Sequence, residues 1–256
     1  MTYSELRSKV TMVTGAGQGI GLAIVRELAC HGCAIAAFDV NQDTLAALAR
    51  ELVEKDIPYL TYVMDVANYD QVRSGVNAAV ERFGEINVLV NNAGISPKHN
   101  GVKALMVDMD PEEWSRVLQV NLTGSFYCSK LVAPIMATKG WGRIVNMASM
   151  AARTGGIVTG CHYTASKSGV IGLTKIMAAE LGLYNITVNA IAPGRILTPM
   201  ALGVSEAINR QMKERIPLKR LGMPEEVATT VAFLCSDAAS FISGATIDIN
   251  GAQCTY

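Results

Sequence analysis

Short runs of β-branched and small apolar residues alternate with segments of helical periodicity along almost the whole chain, and few folds accept such an alternation. Val10 to Thr14 is an apolar, β-rich run that stops at Gly15, and Ile20 to Ala29 carries apolar residues at helical spacing. The pattern then recurs. Strands are expected at Ala34 to Asp39, Tyr59 to Met64, Val88 to Val90, Arg143 to Met147, Thr187 to Ile191 and Thr246 to Ile249. Between them, helices are expected at Asp43 to Lys55, Tyr69 to Phe83 and Pro111 to Met136, around Tyr163, and after Pro224.

Strands that read as nearly continuous Val, Ile, Ala and Leu between helices belong to a parallel sheet covered on both faces. The expected fold is therefore α/β: a Rossmann-type, doubly wound parallel sheet of about seven strands with helices on both faces. Half of the 256 residues are hydrophobic, enough for one large core. No repeat, low-complexity tract or charge block marks a linker, so one domain spanning 1–256 is expected.

The 22 basic residues balance the 22 acidic ones, which removes the usual electrostatic reason to expect nucleic acid or an anionic membrane as partner. A small-molecule ligand is expected instead. No apolar stretch reaches the roughly 18 residues of a membrane span, and Met1 to Lys9 has no apolar targeting core, so a cytoplasmic protein is expected. The six cysteines are scattered, as suits reduced thiols. Cys30 and Cys33 have redox-pair or half-zinc spacing, but no second pair completes a metal set, and no metal is expected.

Thr14 to Gly21 (TGAGQGIG) lies where the first strand gives way to the first helix. Glycines there let backbone approach a pyrophosphate, and the helix N-terminus offers unpaired N–H groups. The glycines at 15, 17, 19 and 21 do not follow the usual G-x-G-x-x-G spacing. Asp39, ending the second strand, is placed to accept hydrogen bonds from an adenosine ribose and to repel a 2′-phosphate. With uncharged Val40 and Asn41 following, NAD(H) is favoured over NADP(H). Asp39 as N-cap of the next helix is the competing reading, a task for which Asn41 or Asp43 is better suited.

Tyr163 and Lys167 stand four apart on an expected helix and so share a face, where the ammonium would favour the phenolate. On its own the pair reads equally as a surface coincidence. Ser149 ends the fifth strand, at the sheet edge where open α/β folds bind ligands.

Taken together, Thr14 to Gly21, Asp39, Asp65-Val66, Asn91 to Gly94, Asn121, Ser149, Tyr163, Lys167 and Pro193-Gly194 resemble the short-chain dehydrogenase/reductase family, in its plain single-domain form, over essentially the whole chain. The resemblance implies a catalytic set of Asn121, Ser149, Tyr163 and Lys167, with Asn121 holding a water in a proton relay. It implies cofactor contacts at Gly15, Gln18, Gly19, Ile20, Gly21, Asp39, Asp65, Val66, Asn91, Ala93, Gly94, Tyr163, Lys167, Pro193, Gly194, Ile196 and Thr198. It further implies a substrate lid near 195–215 and a homotetramer built through the long helices, where Leu118, Val120, Leu122 and Phe126 put apolar residues on more than one face.

The expected activity is NAD(H)-dependent interconversion of a secondary alcohol and a ketone, with Tyr163 exchanging the proton and Ser149 positioning the oxygen. The stretch from Ile95 to Lys103 is longer than is common in the family. With Lys98, His99, Arg153, His162 and Arg195 flanking the cleft, it points to a polar substrate, anionic or polyhydroxylated, such as a sugar, polyol or hydroxy acid. Plain solvation of loop cations is the competing reading. A 3-oxoacyl-[acyl-carrier-protein] or other 3-oxoacyl thioester reductase is the alternative activity. A non-enzymatic dinucleotide-sensing module would show a damaged catalytic set, and here all four residues are present.

Overall fold

The computed structural model describes residues 3–156, 158–204 and 206–255, with nothing described for the side chain of residue 207. Seven parallel strands form one sheet: β1 (Val10–Thr14), β2 (Ala34–Asp39), β3 (Tyr59–Val63), β4 (Val88–Asn91), β5 (Gly142–Met147), β6 (Ile186–Pro193) and β7 (Thr246–Ile249). Their spatial order is β3-β2-β1-β4-β5-β6-β7. From β1 the chain steps outward to β2 and β3, then returns to lay β4 on the other side of β1. The carboxyl ends of β1 and β4 thus flank the point where the winding reverses, and a crevice opens there.

The helices are α1 (Gly19–Cys30), α2 (Gln42–Glu54), α3 (Tyr69–Phe83), α4 (Pro111–Leu118), α5 (Gly124–Lys139), α6 (Ala151–Thr154), α7 (Cys161–Leu181), α8 (Pro199–Leu202), α9 (Glu206–Arg215) and α10 (Pro224–Cys235). Successive strand residues feed two cores. Val13, Ile35, Val90 and Val145 pack with Ile24, Leu28, Leu48 and Val231 from α1, α2 and α10. Their neighbours Met12, Ala36, Leu89 and Ile144 pack with Val76, Val132 and Met177 from α3, α5 and α7. Side chains alternate across a strand, so a sheet buried on both faces reads as an unbroken apolar run.

The expected helix from Pro111 to Met136 is not continuous. Between α4 and α5, residues Gln119–Thr123 form a wider π turn around the buried Asn121. The expected lengthening after β4 folds as a small hairpin: His99 and Val102 exchange backbone hydrogen bonds of 2.8 and 3.0 Å around Asn100-Gly101. Both central residues have positive φ, 51° and 77°, as an Asn-Gly hairpin turn requires. Of the four apolar residues noted on the long helices, Phe126 is exposed, whereas Val120 is buried and Leu122 packs beneath Val170. No helix among the described residues is long and apolar enough to cross a membrane.

Candidate active site

The carboxyl ends of the strands open on a cleft of about 630 Å³, which runs from the glycine turn to the hairpin and the 195–215 segment. At its nucleotide end, the Thr14 hydroxyl clamps two strands together. It accepts from the backbone N–H groups of Asn92 and Ala93, both at 3.1 Å, and donates to the Val90 carbonyl at 3.4 Å. The Asn92 amide in turn donates to the carbonyls of Thr14 and Gly15, at 3.0 and 2.9 Å. Gly15 has a φ of +64°, and a Cβ there would stand 2.9 Å from the Cα of Ala93. Side chains are therefore excluded where backbone must pass close to a ligand.

Asp39 faces this turn. Its Oδ2 accepts from Gly17 N at 2.9 Å, and its Oδ1 from Asn41 N at 3.0 Å. Asn41, not Asp39, caps α2, accepting from the N–H groups of Asp43 and Thr44. Further along, Asp65 and Val66 line the cleft, and Arg116 of α4 reaches Asp65 Oδ2 at 2.8 Å. A narrow glycine turn at a helix N-terminus, facing a carboxylate placed to take a ribose hydroxyl, fits a dinucleotide.

Two expected cofactor residues lie just behind the lining of the cleft. Asn91 is buried below the cleft and donates to Ser129 Oγ at 3.0 Å and Asn146 Oδ1 at 2.8 Å; strand alternation turns it into the core. Gly21 lies under the turn, where a Cβ would overlap the Gly15 carbonyl oxygen, so it secures the turn without facing a ligand. Gly15, Gln18, Gly19, Ile20, Ala93, Gly94, Pro193, Gly194, Ile196 and Thr198 all line the cleft.

At the other end, Ser149, Tyr163 and Lys167 meet on the cleft wall. Ser149 lies close enough to Tyr163 to act on its phenol, its own hydroxyl accepting from Ala151 N at 3.1 Å, and Lys167 Nζ stands 5.8 Å from the tyrosine ring centroid. The expected depression of the Tyr163 pKa is not found: burial pushes the phenol up, and Ser149 opposes this. Burial also pushes Lys167 down to about 8. Desolvation disfavours the charged form of each, and Lys167 is anchored elsewhere, donating to the Met147 carbonyl at 2.6 Å.

Asn121 lies next to this group, since a Cβ built on Gly94 would stand 3.3 Å from both Asn121 Oδ1 and Lys167 Nζ. Its side chain is tied to the protein around it. The amide accepts from Ile95 N at 2.8 Å and donates to Ile95 O and Ser166 Oγ at 3.0 and 3.1 Å, because the π turn aims it at the loop after β4. Ser166 Oγ continues to the Tyr163 carbonyl at 2.8 Å.

Of the basic loop residues, Lys98 and Arg195 line the cleft. Arg153 is turned away, bonded to Asp248 at 3.1 Å and to the Thr246 carbonyl at 3.1 Å. His162 is buried against Glu113 Oε1 at 3.0 Å, and His99 takes the other carboxylate oxygen at 2.8 Å. In the 195–215 segment Met200, Ala201, Met212 and Arg215 face the cleft, while Leu202 is exposed. Sequence reasoning missed Arg116, whose helix position gave no sign of a partner on β3's loop. It also missed Gln253, which reaches the cleft from the last residues with its Oε1 buried and unpartnered among the described residues. Nothing in the sequence near position 253 signals that return.

Cys33 is buried and its thiol is pushed up to about 11, chiefly by burial, while Cys30 is exposed. Among the described residues no three His, Cys, Asp or Glu side chains gather as a metal set.

Residues 15–251 match a family model described as enoyl-(acyl carrier protein) reductase. A 3-oxoacyl-[acyl-carrier-protein] reductase of Thermotoga maritima is 41% identical over 247 residues, 96% of this chain and 98% of that protein. The crystal structure of a 3-oxoacyl-[acyl-carrier protein] reductase from Brucella melitensis with bound NAD is similar, with a TM-score of 0.91 and 38% identity over 98% of this chain and 92% of that one. So is that of a levodione reductase, with a TM-score of 0.89 and 37% identity over 96% and 98% of the two chains.

Proposed function

Because the chain belongs to the short-chain dehydrogenase/reductase family, we propose that it is an NAD(H)-dependent oxidoreductase interconverting the carbonyl of a 3-oxoacyl thioester and the matching 3-hydroxyl. The observation that carries the redox chemistry is the gathering of Ser149, Tyr163 and the buried Lys167 on the wall of the same cleft as the glycine turn. When bound, the nicotinamide supplies or accepts the hydride. Tyr163 gives its proton to the carbonyl oxygen, or takes it back from the alcohol, and Ser149 orients that oxygen. Lys167 brings a positive charge to a site where burial otherwise opposes the phenolate. Asn121 acts as a positioning residue, through Ile95 and Ser166.

Gly15, Gln18, Gly19 and Ile20 would hold the pyrophosphate, Asp39 the adenosine ribose, and Asp65 and Val66 the adenine. The negative charge of Asp39 supports NAD(H) over NADP(H). A preference for NAD does not weigh against an acyl substrate, since the Brucella reductase is itself described with bound NAD. The thioester reading rests on the Thermotoga and Brucella relatives and takes the place of the expected sugar or polyol. A small polar secondary alcohol is the second reading, favoured by Lys98 and Arg195, two of the cations that line the cleft. The chain would act as one unit with 195–215 as lid, in the cytoplasm and as a homo-oligomer, with exposed Trp114, Phe126 and Ile176 on α4, α5 and α7 as contact surface. Sedimentation reads the oligomeric state directly.

The deciding assay is a panel of 3-oxoacyl thioesters, hydroxy acids, polyols and sugars, each run with both nicotinamide cofactors. Turnover of the thioesters with NADH at rates well above the others supports the reading. Turnover confined to polyols or sugars overturns the thioester assignment.

A further inference from the structure

Two cations that line the cleft, Lys98 and Arg195, form no salt bridge among the described residues. Lys98 is carried by the hairpin that follows β4, and Arg195 opens the segment that follows β6. Each is about half-buried, and among the described residues neither forms an ion pair. The Lys98 ammonium donates to Ser96 Oγ at 3.1 Å. The Arg195 guanidinium donates to Asn209 Oδ1 at 2.7 and 3.1 Å and to the Ala201 carbonyl at 2.8 Å, all neutral acceptors.

Glu113 is the carboxylate that acts on Lys98, and each of its oxygens is already engaged by a histidine. His162 holds one of its oxygens and His99 the other. Burial, then the charges of Arg195 and Lys103, lower Lys98 to about 8 against the pull of Glu113, so the cationic pair is under mutual repulsion. Arg195 is lowered by burial with no acid opposing it. Bringing like charges together out of water is unfavourable unless an anion completes the set.

We propose that the substrate carries an anionic oxygen group, a carboxylate, phosphate or sulfonate, which sits between Lys98 and Arg195 while the reacting carbon faces Tyr163. The proposal rests on the hydride-transfer reading but not on the thioester. A guanidinium already braced by Asn209 and a rotatable ammonium make a fixed and an adjustable donor for such a group. The bonds of Arg195 to Asn209 and Ala201 also join α8 to α9. Occupying the anion position would therefore order the wall that covers it.

The test pairs charged and neutral forms of one substrate frame: acetoacetate against its methyl ester, and acetoacetyl-coenzyme A against the acetoacetyl thioester of N-acetylcysteamine. The sulfonate analogue of acetoacetate and 3-oxoglutarate extend the charged series. Expected is a kcat/KM at least 30-fold higher for the charged member of the favoured pair. In Lys98→Met that preference shrinks at least tenfold through KM, with the neutral member little changed. A preference in the coenzyme A pair alone places the anion on a carrier phosphate, and one in the acetoacetate pair places it beside the carbonyl. Equal use of charged and neutral members, or a Lys98→Met loss shared by both, overturns the proposal.

Because Arg195 also braces α8 and α9, it is probed separately by Arg195→Lys, for which calorimetric binding of succinate weakens while the Tm holds. If no member of the panel is turned over yet succinate binds and Lys98→Met abolishes that binding, the hydride-transfer reading fails and the anion site stands.

Discussion

Lys167 Nζ donates to the Met147 carbonyl at 2.6 Å, tying the first half of α7 to the last residue of β5. An ammonium has three donors, so the bond fixes its place while leaving N–H groups for the cleft. Lys167→Met keeps the stem and removes a buried cation whose charge is costly. The Tm is expected to hold within a few degrees while kcat falls by about 10²–10⁴-fold. Thermal unfolding and initial rates on the same preparation check the separation, and a parallel loss of both would assign Lys167 to structure.

Tyr163→Phe preserves the ring and removes the hydroxyl beside Ser149. A kcat lower by at least about 10²-fold is expected, with NADH binding by fluorescence titration unchanged within a few-fold. Near-full activity in this variant would sink the proton-transfer assignment.

Asp39→Ala removes the carboxylate that faces the glycine turn and so the repulsion of a 2′-phosphate. The ratio of kcat/KM for NADP to that for NAD should rise tenfold or more, a change of about 1.4 kcal/mol or greater. Part of the loss toward NAD would come from the unbraced Gly17 N–H. A ratio that does not move would show that selection lies elsewhere in the turn.

Gly21→Ala puts a methyl group into the Gly15 carbonyl oxygen. Overpacking of this kind costs about 1–3 kcal/mol, and the damage falls on the phosphate-binding turn. A lower Tm with a raised KM for NAD is expected, checked by calorimetry and steady-state kinetics.

For an anionic substrate the pH profile carries its own signature. Lys98 loses its proton as pH rises through about 8 in the free protein, with burial, then Arg195 and Lys103, favouring that loss and Glu113 opposing it. Affinity for the anion is full below that pH and declines above it. Lys167 titrates in the same range but acts on every substrate, so the ratio of kcat/KM for charged over neutral members isolates Lys98. That ratio should fall above pH 8 in the wild type and stay flat in Lys98→Met.

The strands were legible in the sequence because burial on both faces leaves a continuous apolar run. The strands Ala34–Asp39 and Thr246–Ile249, and the helix Tyr69–Phe83, stand where the pattern puts them. The local mark of the break at Gln119–Thr123 is Asn121 itself, since an asparagine side chain inside a helix can interrupt the backbone ladder. That turn depends on Asn121 finding Ile95 and Ser166, partners distant in sequence and joined only by the fold. The same applies to the pKa of Tyr163. Four-residue spacing places a cation nearby, but burial and the pull of Met147 on Lys167 are properties of packing. For Asn91 the motif names a neighbourhood, and strand alternation turns its side chain into the core.

Thr14, Ala93, Ile95, Asn121, Ser166 and Tyr163 follow one another from the phosphate-binding turn to the tyrosine, through short backbone steps and hydrogen bonds of 2.8 to 3.1 Å. This ladder sets both reactants in a common frame with no hinge between them. The hairpin bearing Lys98 and the segment bearing Arg195 hang outside that frame. Their side chains can therefore be exchanged to admit a different alcohol without disturbing the alignment of hydride and proton.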